Sequence, residues 1–251
     1  MSGPFFVSAS TPLAAFRSVL TYVVIVLYVI LIGPPALLIA WLFHWKRSLY
    51  LVGHGGVGLA LFLAGIRYRV VGRENVPPGA VVYCSNHESN VDPAVLFQGL
   101  HPMIHILYKQ ELHQIPLMGM AFDIGGFVAV DRADRRKSIA SVDTAVESLR
   151  RGNSFLIFPE GTRSRTGELL PFKKGGFIMA LQAQVPVIPV AVSGGRASMR
   201  KGSAIVRPVK VTVRLGPPIS TDGLTIDDRD TLIERARVAV RGLLDQGTAW
   251  K

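Results

Sequence analysis

Two side chains in the stretch Asn86 to Pro93, NHESNVDP, have the types and the spacing of an acid–base pair: His87 and, five residues on, Asp92. A histidine titrates near neutrality, so it can take a proton from a hydroxyl at physiological pH and return it later. A carboxylate within reach fixes its tautomer and stabilises the imidazolium that forms. On one continuous helix five residues turn about 500°, which would leave the two side chains about 140° apart. They can meet only if a helix starts between them. Ala80 to Cys84, AVVYC, reads as a short buried strand, and Asp92-Pro93 has the N-cap and first-turn signature of a helix that continues as AVLFQGL. This order puts His87 in a strand-to-helix loop at a sheet edge, facing Asp92 across the helix start. The plainer reading of the same residues is an aspartate that only caps a helix beside a hydrogen-bonded histidine.

A second string, Phe158 to Ser164, FPEGTRS, follows the apolar run SFLIF directly. A strand running into Pro-Glu-Gly-Thr is a sharp turn at a sheet edge, where open α/β sheets bind their ligands. Gly161 lets backbone approach a ligand closely, and Arg163 offers a bidentate fork for a phosphate. Glu160 could hold that arginine or accept from a substrate hydroxyl; the plain alternative is an exposed Glu-Arg pair of little energetic worth. Lys173-Lys174-Gly175-Gly176 opens a helix with the character of an anion site. Arg135, Arg136 and Lys137 read as the solvated face of another helix. His101, His105 and His113 are spaced by four and eight with no accompanying Cys cluster or H-E-x-x-H, so no metal is expected. No G-x-S-x-G elbow occurs, so no serine stands in the position of an elbow nucleophile. Cys84, the one cysteine, reads as a small core residue and excludes an internal disulfide.

The elements that must position these groups alternate along the chain after Arg67. Strands are expected at Tyr68 to Val71, Ala80 to Cys84, Met103 to Tyr108, Phe127 to Val130, Ser154 to Phe158, Val187 to Val192 and Val209 to Leu215. Helices are expected from Pro93, over Ile115 to Asp123, from Arg135 to Arg151 with Gly152 as its stop, over Gly175 to Gln182, and from about Asp227 to Leu244. The pattern implies an α/β fold with a mixed, mostly parallel sheet flanked by helices.

Before this domain comes an uncharged run of 25 residues, Val19 to Phe43, in a chain of 251 residues with a mean hydropathy of +0.35. A membrane span needs about 20 apolar residues. Gly33-Pro34-Pro35 interrupts the run, which leaves two readings: one kinked span, or two shorter helices that meet at the bend and dip into one leaflet. A second apolar stretch, Leu49 to Ile66, carries His54. We therefore expect a membrane-associated helical segment over residues 1–65 and a catalytic domain over residues 66–251. The net charge is +11, from 28 Lys and Arg against 17 Asp and Glu. Basic residues interleaved with aromatics on one face are missing, so an anionic bilayer surface fits this charge better than nucleic acid. Trp45, Lys46 and Arg47 sit where an interfacial anchor belongs, and the positive residues there and beyond place this side in the cytoplasm.

NHESNVD, GGFVAVDR, FPEGTRS and VPVIPVAVSG occur in that order and together resemble the four motif blocks of the glycerolipid acyltransferase family, over roughly Ile66 to Ser220. The resemblance implies acyl transfer from acyl-CoA or acyl-carrier protein to the sn-2 hydroxyl of lysophosphatidic acid, giving phosphatidic acid, with no cofactor beyond the acyl donor. Another lysophospholipid or a lyso-amino-acid lipid is the alternative acceptor. By the same resemblance His87 is the base and Asp92 its orienting carboxylate. Ser89 is a loop-supporting serine of the first block. Arg132 of the second block and Glu160, Gly161, Thr162 and Arg163 of the third form the glycerol-phosphate site. Pro186 and Pro189 belong to the fourth block. The family often carries Gln where this chain has Glu88. Thioester attack also needs donors for an oxyanion, for which backbone N–H groups near Gly161 are candidates.

Overall fold

The structure is a computed structural model that describes residues 11–131, 134–164, 166–199 and 202–250. Two helices come first, α1 (Thr11–Leu42) and α2 (Lys46–Ala64). The α/β part follows as β1 (Arg67–Val71), β2 (Val82–Ser85), α3 (Asp92–Gly99), β3 (His105–Lys109), α4 (Met118–Gly125), β4 (Val128–Val130) and α5 (Arg135–Arg150). It continues through β5 (Phe155–Ile157), α6 (Gly175–Ala183), β6 (Val187–Ser193), the single turn α7 (Gly195–Ser198), β7 (Lys210–Leu215) and α8 (Arg229–Asp245).

The seven strands form one sheet in the order β1-β7-β6-β2-β5-β3-β4. Every neighbouring pair is parallel except β6 and β7, so β7 and β1 run opposite to the other five. The carboxyl ends of β2, β5 and β6 therefore sit side by side at one edge. Pro189 has no N–H to give, and the β7 ladder starts one residue later, at Val190 opposite Leu215.

Alternation along the strands sorts the core into two layers. Val81, Tyr83, Leu156, Ile188, Val190 and Val192 pack with α3 and the end of α2 (Leu61, Ala64). Val82, Cys84, Phe155, Ile157 and Val187 pack with α5, α6 and α8 through Ala145, Leu149, Phe177, Ala180, Leu232 and Ala236. Each large side chain buried in this way contributes about 1.5–3 kcal/mol. Both faces of the sheet are thus covered, as its parallel strands require.

Between the two expected readings of the Gly-Pro-Pro segment, the structure has one helix: α1 runs through Pro34 and Pro35, both exposed. α1 and α2 form a hairpin that lies along the α/β part. Arg17 Nε and Nη2 donate to the Leu63 carbonyl at 3.1 and 2.9 Å, and Tyr28 Oη donates to Val52 O at 2.9 Å. Val206 N–H donates to Ser18 Oγ at 2.8 Å, and Tyr50 Oη donates to the Ile104 and Gly125 carbonyls at 3.2 and 3.1 Å. Gly65, left-handed at φ 73°, ends α2 and turns the chain into β1.

Candidate active site

β2 ends at Ser85, and the chain leaves the sheet edge as Asn86-His87. Asn86 locks this exit to β6 by a reciprocal pair: its Nδ2 donates to Val192 O at 3.0 Å and its Oδ1 accepts from Val192 N–H at 2.7 Å. α3 then starts at Asp92, so the helix does begin between His87 and Asp92, and the two side chains meet at 3.0 Å, Nδ1 to Oδ2. A carboxylate only accepts, so Nδ1 carries the hydrogen and Nε2 is the nitrogen open to receive a proton.

Asp92 is not the N-cap that the Asp-Pro signature predicts. Val91 holds that position, and the buried Asp92 carboxylate points back into the loop. Its Oδ2 also accepts from the backbone N–H of Glu88 and of Ser89, both at 2.7 Å. The physical reason is that the loop amides and the imidazole outbid the helix's own first turn for one buried oxygen. Oδ1 is buried with no hydrogen-bond partner among the described residues, and a Cβ on Gly195 would collide with it. Ser89 Oγ donates to Met199 O at 3.0 Å and accepts from Val91 N–H at 3.3 Å, so it fastens the loop to the segment after α7. The His87 ring stacks on Phe158, with centroids 4.3 Å apart.

The FPEGTRS string leaves β5 beside it. Glu160 is buried, and both of its oxygens are committed to backbone. Oε1 accepts from His87 N–H at 2.7 Å and Oε2 from Leu170 N–H at 2.9 Å. It holds the His87 loop rather than Arg163. Burial pushes its carboxyl above the usual glutamate range, against the pull of those two amides. Ser164 N–H donates to His87 O at 2.8 Å, which sets Arg163 next to the histidine. Arg163 Nη1 is buried with no hydrogen-bond partner among the described residues. Gly161 is left-handed at φ 67°, and its N–H donates to Phe158 O at 3.0 Å. That amide closes the turn. Thr162 is exposed on the same turn. Arg132 lies outside the described residues.

Three further groups gather at this edge. A Cβ on Gly161 would lie 2.8 Å from Lys173 Nζ, so this lysine, the first of the expected Lys-Lys patch, covers the Gly161 turn. Lys174 instead reaches Asp230, at 3.8 Å. Arg196 on α7 donates to Thr166 O and ties the end of the FPEGTRS loop to the loop after β6. Glu88 takes a bond from Asn86 Nδ2 at 3.3 Å, and its carboxyl is raised to about 7. Burial is the largest cause, then Asp92; Arg196 pulls the other way. The histidines 101, 105 and 113 go separate ways: His101 Nδ1 accepts from Met103 N–H, His105 Nε2 meets Lys46 Nζ at 2.7 Å, and His113 faces Tyr108.

An apolar cavity of about 600 Å³ runs from this motif into the space under the hairpin. Asn90, Pro93 and Ala94 line it at the motif end; Tyr28, Gly56 and Phe122 are among those that line it from α1, α2 and α4. Taken together, the edge offers a base with its orienting carboxylate, an unpaired guanidinium nitrogen and a lysine, and a channel for hydrocarbon.

Known proteins resemble this chain over most of its length. The Acyltransferase family matches residues 67–193, from β1 to the end of β6. The 1-acyl-sn-glycerol-3-phosphate acyltransferase of Limnanthes douglasii is 38% identical over 210 residues, 82% of this chain and 74% of that protein. The alpha enzyme of that name from Mus musculus is 35% identical over 181 residues, 71% of this chain and 64% of its own. The crystal structure of the 1-acyl-sn-glycerophosphate acyltransferase PlsC from Thermotoga maritima superposes with a TM-score of 0.80 at 25% identity, covering 94% of this chain and 97% of that one.

Proposed function

The chain belongs to the glycerolipid acyltransferase family, and we propose that it acylates the sn-2 hydroxyl of 1-acylglycerol-3-phosphate, giving phosphatidic acid, with acyl-CoA or acyl-carrier protein as donor. The observation that carries this reading is the His87–Asp92 pair, 3.0 Å apart, set between an apolar cavity and cationic side chains. His87 Nε2 takes the proton of the acceptor hydroxyl as its oxygen attacks the thioester carbonyl. The same proton then goes to the leaving thiol, so no acyl-enzyme forms. Asp92 keeps Nδ1 protonated throughout and stabilises the imidazolium. Arg163 and Lys173, with Arg132 from the second block, bind the acceptor phosphate, and Thr162 adds a hydroxyl from the same turn. Ser89, Glu160 and Gly161 act by holding the two loops in register. The cavity takes an acyl chain.

The hairpin, within residues 1–65, places this site at a bilayer, and residues 66–251 carry the chemistry. α2 rests on the α/β part from Tyr50 to Leu61, and α1 rests on α2. Helices docked in this way fit insertion into one leaflet better than a crossing. The Lys and Arg residues around Trp45 favour the cytoplasmic side.

The test is acyl transfer by membrane fractions with labelled acyl-CoA and a panel of lysolipids. His87→Ala is expected to abolish transfer while membrane binding persists; full activity in that variant would overturn the assignment. Arg163→Ala is expected to weaken phosphate-bearing acceptors most, and equal loss on all acceptors would argue for a different head group.

A further inference from the structure

A second apolar surface lies beside α1. The 3-10 turn Gln110–Gln114 leads through Ile115, Pro116 and Leu117 into α4, and the turn packs against the helix. Leu112, Ile115 and Met120 on this segment are 40%, 43% and 57% exposed, and Pro116 is exposed with them. The other face of α4, through Met118, Ala121 and Phe122, lines the apolar cavity opposite α1 and α2. Ile115 and Pro116 belong to both surfaces: they are exposed, and they line the cavity. Val29 on α1 does the same from the other side. The cavity therefore reaches the outside between α1 and the residues that precede α4. The apolar surface there is continuous with the outward face of α1, where Val26, Val29 and Ile30 are exposed.

Water is a poor solvent for this arrangement. Soluble chains rarely expose contiguous apolar patches beyond a few hundred Å². The ionisable groups of the segment are arranged so that they need not oppose insertion. Lys109 pairs with Glu111 at 2.7 Å, and His113 lies 3.7 Å from Asp123. Lys109 and Glu111 are opposite in sign, and Lys109 can reach outward to head groups on its long stem.

We propose that residues 110–125 form a second bilayer contact. Leu112, Ile115, Pro116 and Met120 enter the hydrocarbon of the leaflet that holds α1, and the cavity opens sideways into lipid between Val29 and Ile115. The occupant of this face is the acyl layer of a phospholipid leaflet, because the face continues the exposed side of α1 and frames the mouth of a hydrocarbon-lined channel. The inference rests on the membrane reading of the hairpin given above, and the experiment separates the two.

Single-cysteine variants of the full chain, Leu112→Cys, Met120→Cys, Phe43→Cys and Asp222→Cys, would carry an environment-sensitive fluorophore. Cys84 is buried and its thiol is pushed well up by that burial, so it stays unlabelled. Phe43, 73% exposed at the end of α1, reports on the hairpin; Asp222 is exposed near Ile219, which bridges to the start of β6, at the opposite sheet edge from the site. With phosphatidylcholine–phosphatidylglycerol vesicles, labels at 112 and 120 are expected to shift to the blue. They should also lose emission several-fold to acyl-chain doxyl lipids, as the label at 43 does, while the label at 222 does neither. If 43 responds and both 112 and 120 behave like 222, the second contact is wrong and the hairpin reading survives. If 43 also fails to respond, the membrane reading falls and this inference with it. A concentration-dependent blue shift at 112 and 120 without vesicles would mean that a second copy of the chain covers the face, which also overturns it.

Discussion

Asp92 Oδ2 collects three donors, so it organises the loop as well as holding the His87 ring. Glu88 sits beside it at an energetic cost. Its carboxyl is raised to about 7, from burial first and the Asp92 charge second, against Arg196. The sign of the consequence follows from linkage. The unfolded chain loses the Glu88 proton in the ordinary glutamate range, while the folded chain keeps it to about 7. Across that window the unfolded state binds fewer protons, so stability falls as pH rises and levels off above it. Glu88→Gln is expected to melt higher than the parent at pH 8 and no higher at pH 5, with the gap opening between; parallel melting curves across that range would refute it. Glu160, raised in the same direction, remains in the variant, so the slope flattens without vanishing. The His87–Asp92 contact was legible because a His–Asp spacing of five, read with a helix start between, has few geometric solutions. The use of Glu160 was not, because backbone amides as partners carry no residue signature. Arg196 was hidden in the same way: its place at the site depends on how separate loops meet.

At the scale of elements, strand alternation and the Gly and Pro stops gave each strand and most helix limits to within a few residues. The exceptions have local causes. α4 begins at Met118 rather than Ile115, because Pro116 and a left-handed Leu117 (φ 65°) delay the first turn. α1 continues through Gly33-Pro34-Pro35, where the sequence left two readings open. The reversed direction of β7 depends on how a long connection returns, which periodicity does not encode. The four-residue α7 is too short to carry a period, yet it supports the site: Gly195 is buried, and its missing Cβ is the space occupied by Asp92 Oδ1. Gly195→Val should push Asp92 away from His87. We expect kcat to fall about tenfold or more, equivalent to about 1.4 kcal/mol of barrier, with acceptor KM little changed and a stability loss of about 1–3 kcal/mol from overpacking. Kinetics and a thermal melt on one preparation check this. A lowered melting temperature with unchanged kcat would show that α7 does not set the position of Asp92.

The whole molecule combines an apolar hairpin with a net charge of +11, and the two should act on a membrane in separable ways. Trp41, Phe43 and Trp45 are exposed at the hairpin bend, and Arg47 is exposed just after them. Apolar insertion is insensitive to salt, whereas attraction of Lys and Arg to an anionic surface, about 1 kcal/mol per residue close to it, decays over a Debye length of about 10 Å at 0.1 M salt and about 3 Å at 1 M. Binding to vesicles containing phosphatidylglycerol is therefore expected to weaken by tenfold or more as salt rises through that range. Binding to pure phosphatidylcholine should be weaker from the outset and nearly flat. At high salt the two should converge on a common residual affinity, supplied by the hairpin. Flotation of the full chain with both vesicle types across a salt series measures this directly. Complete release from both at high salt would mean that charge alone holds the protein to lipid. The apolar faces of α1 and α2 would then need an occupant other than a bilayer, and the cavity between hairpin and sheet would lose its link to a lipid-borne substrate.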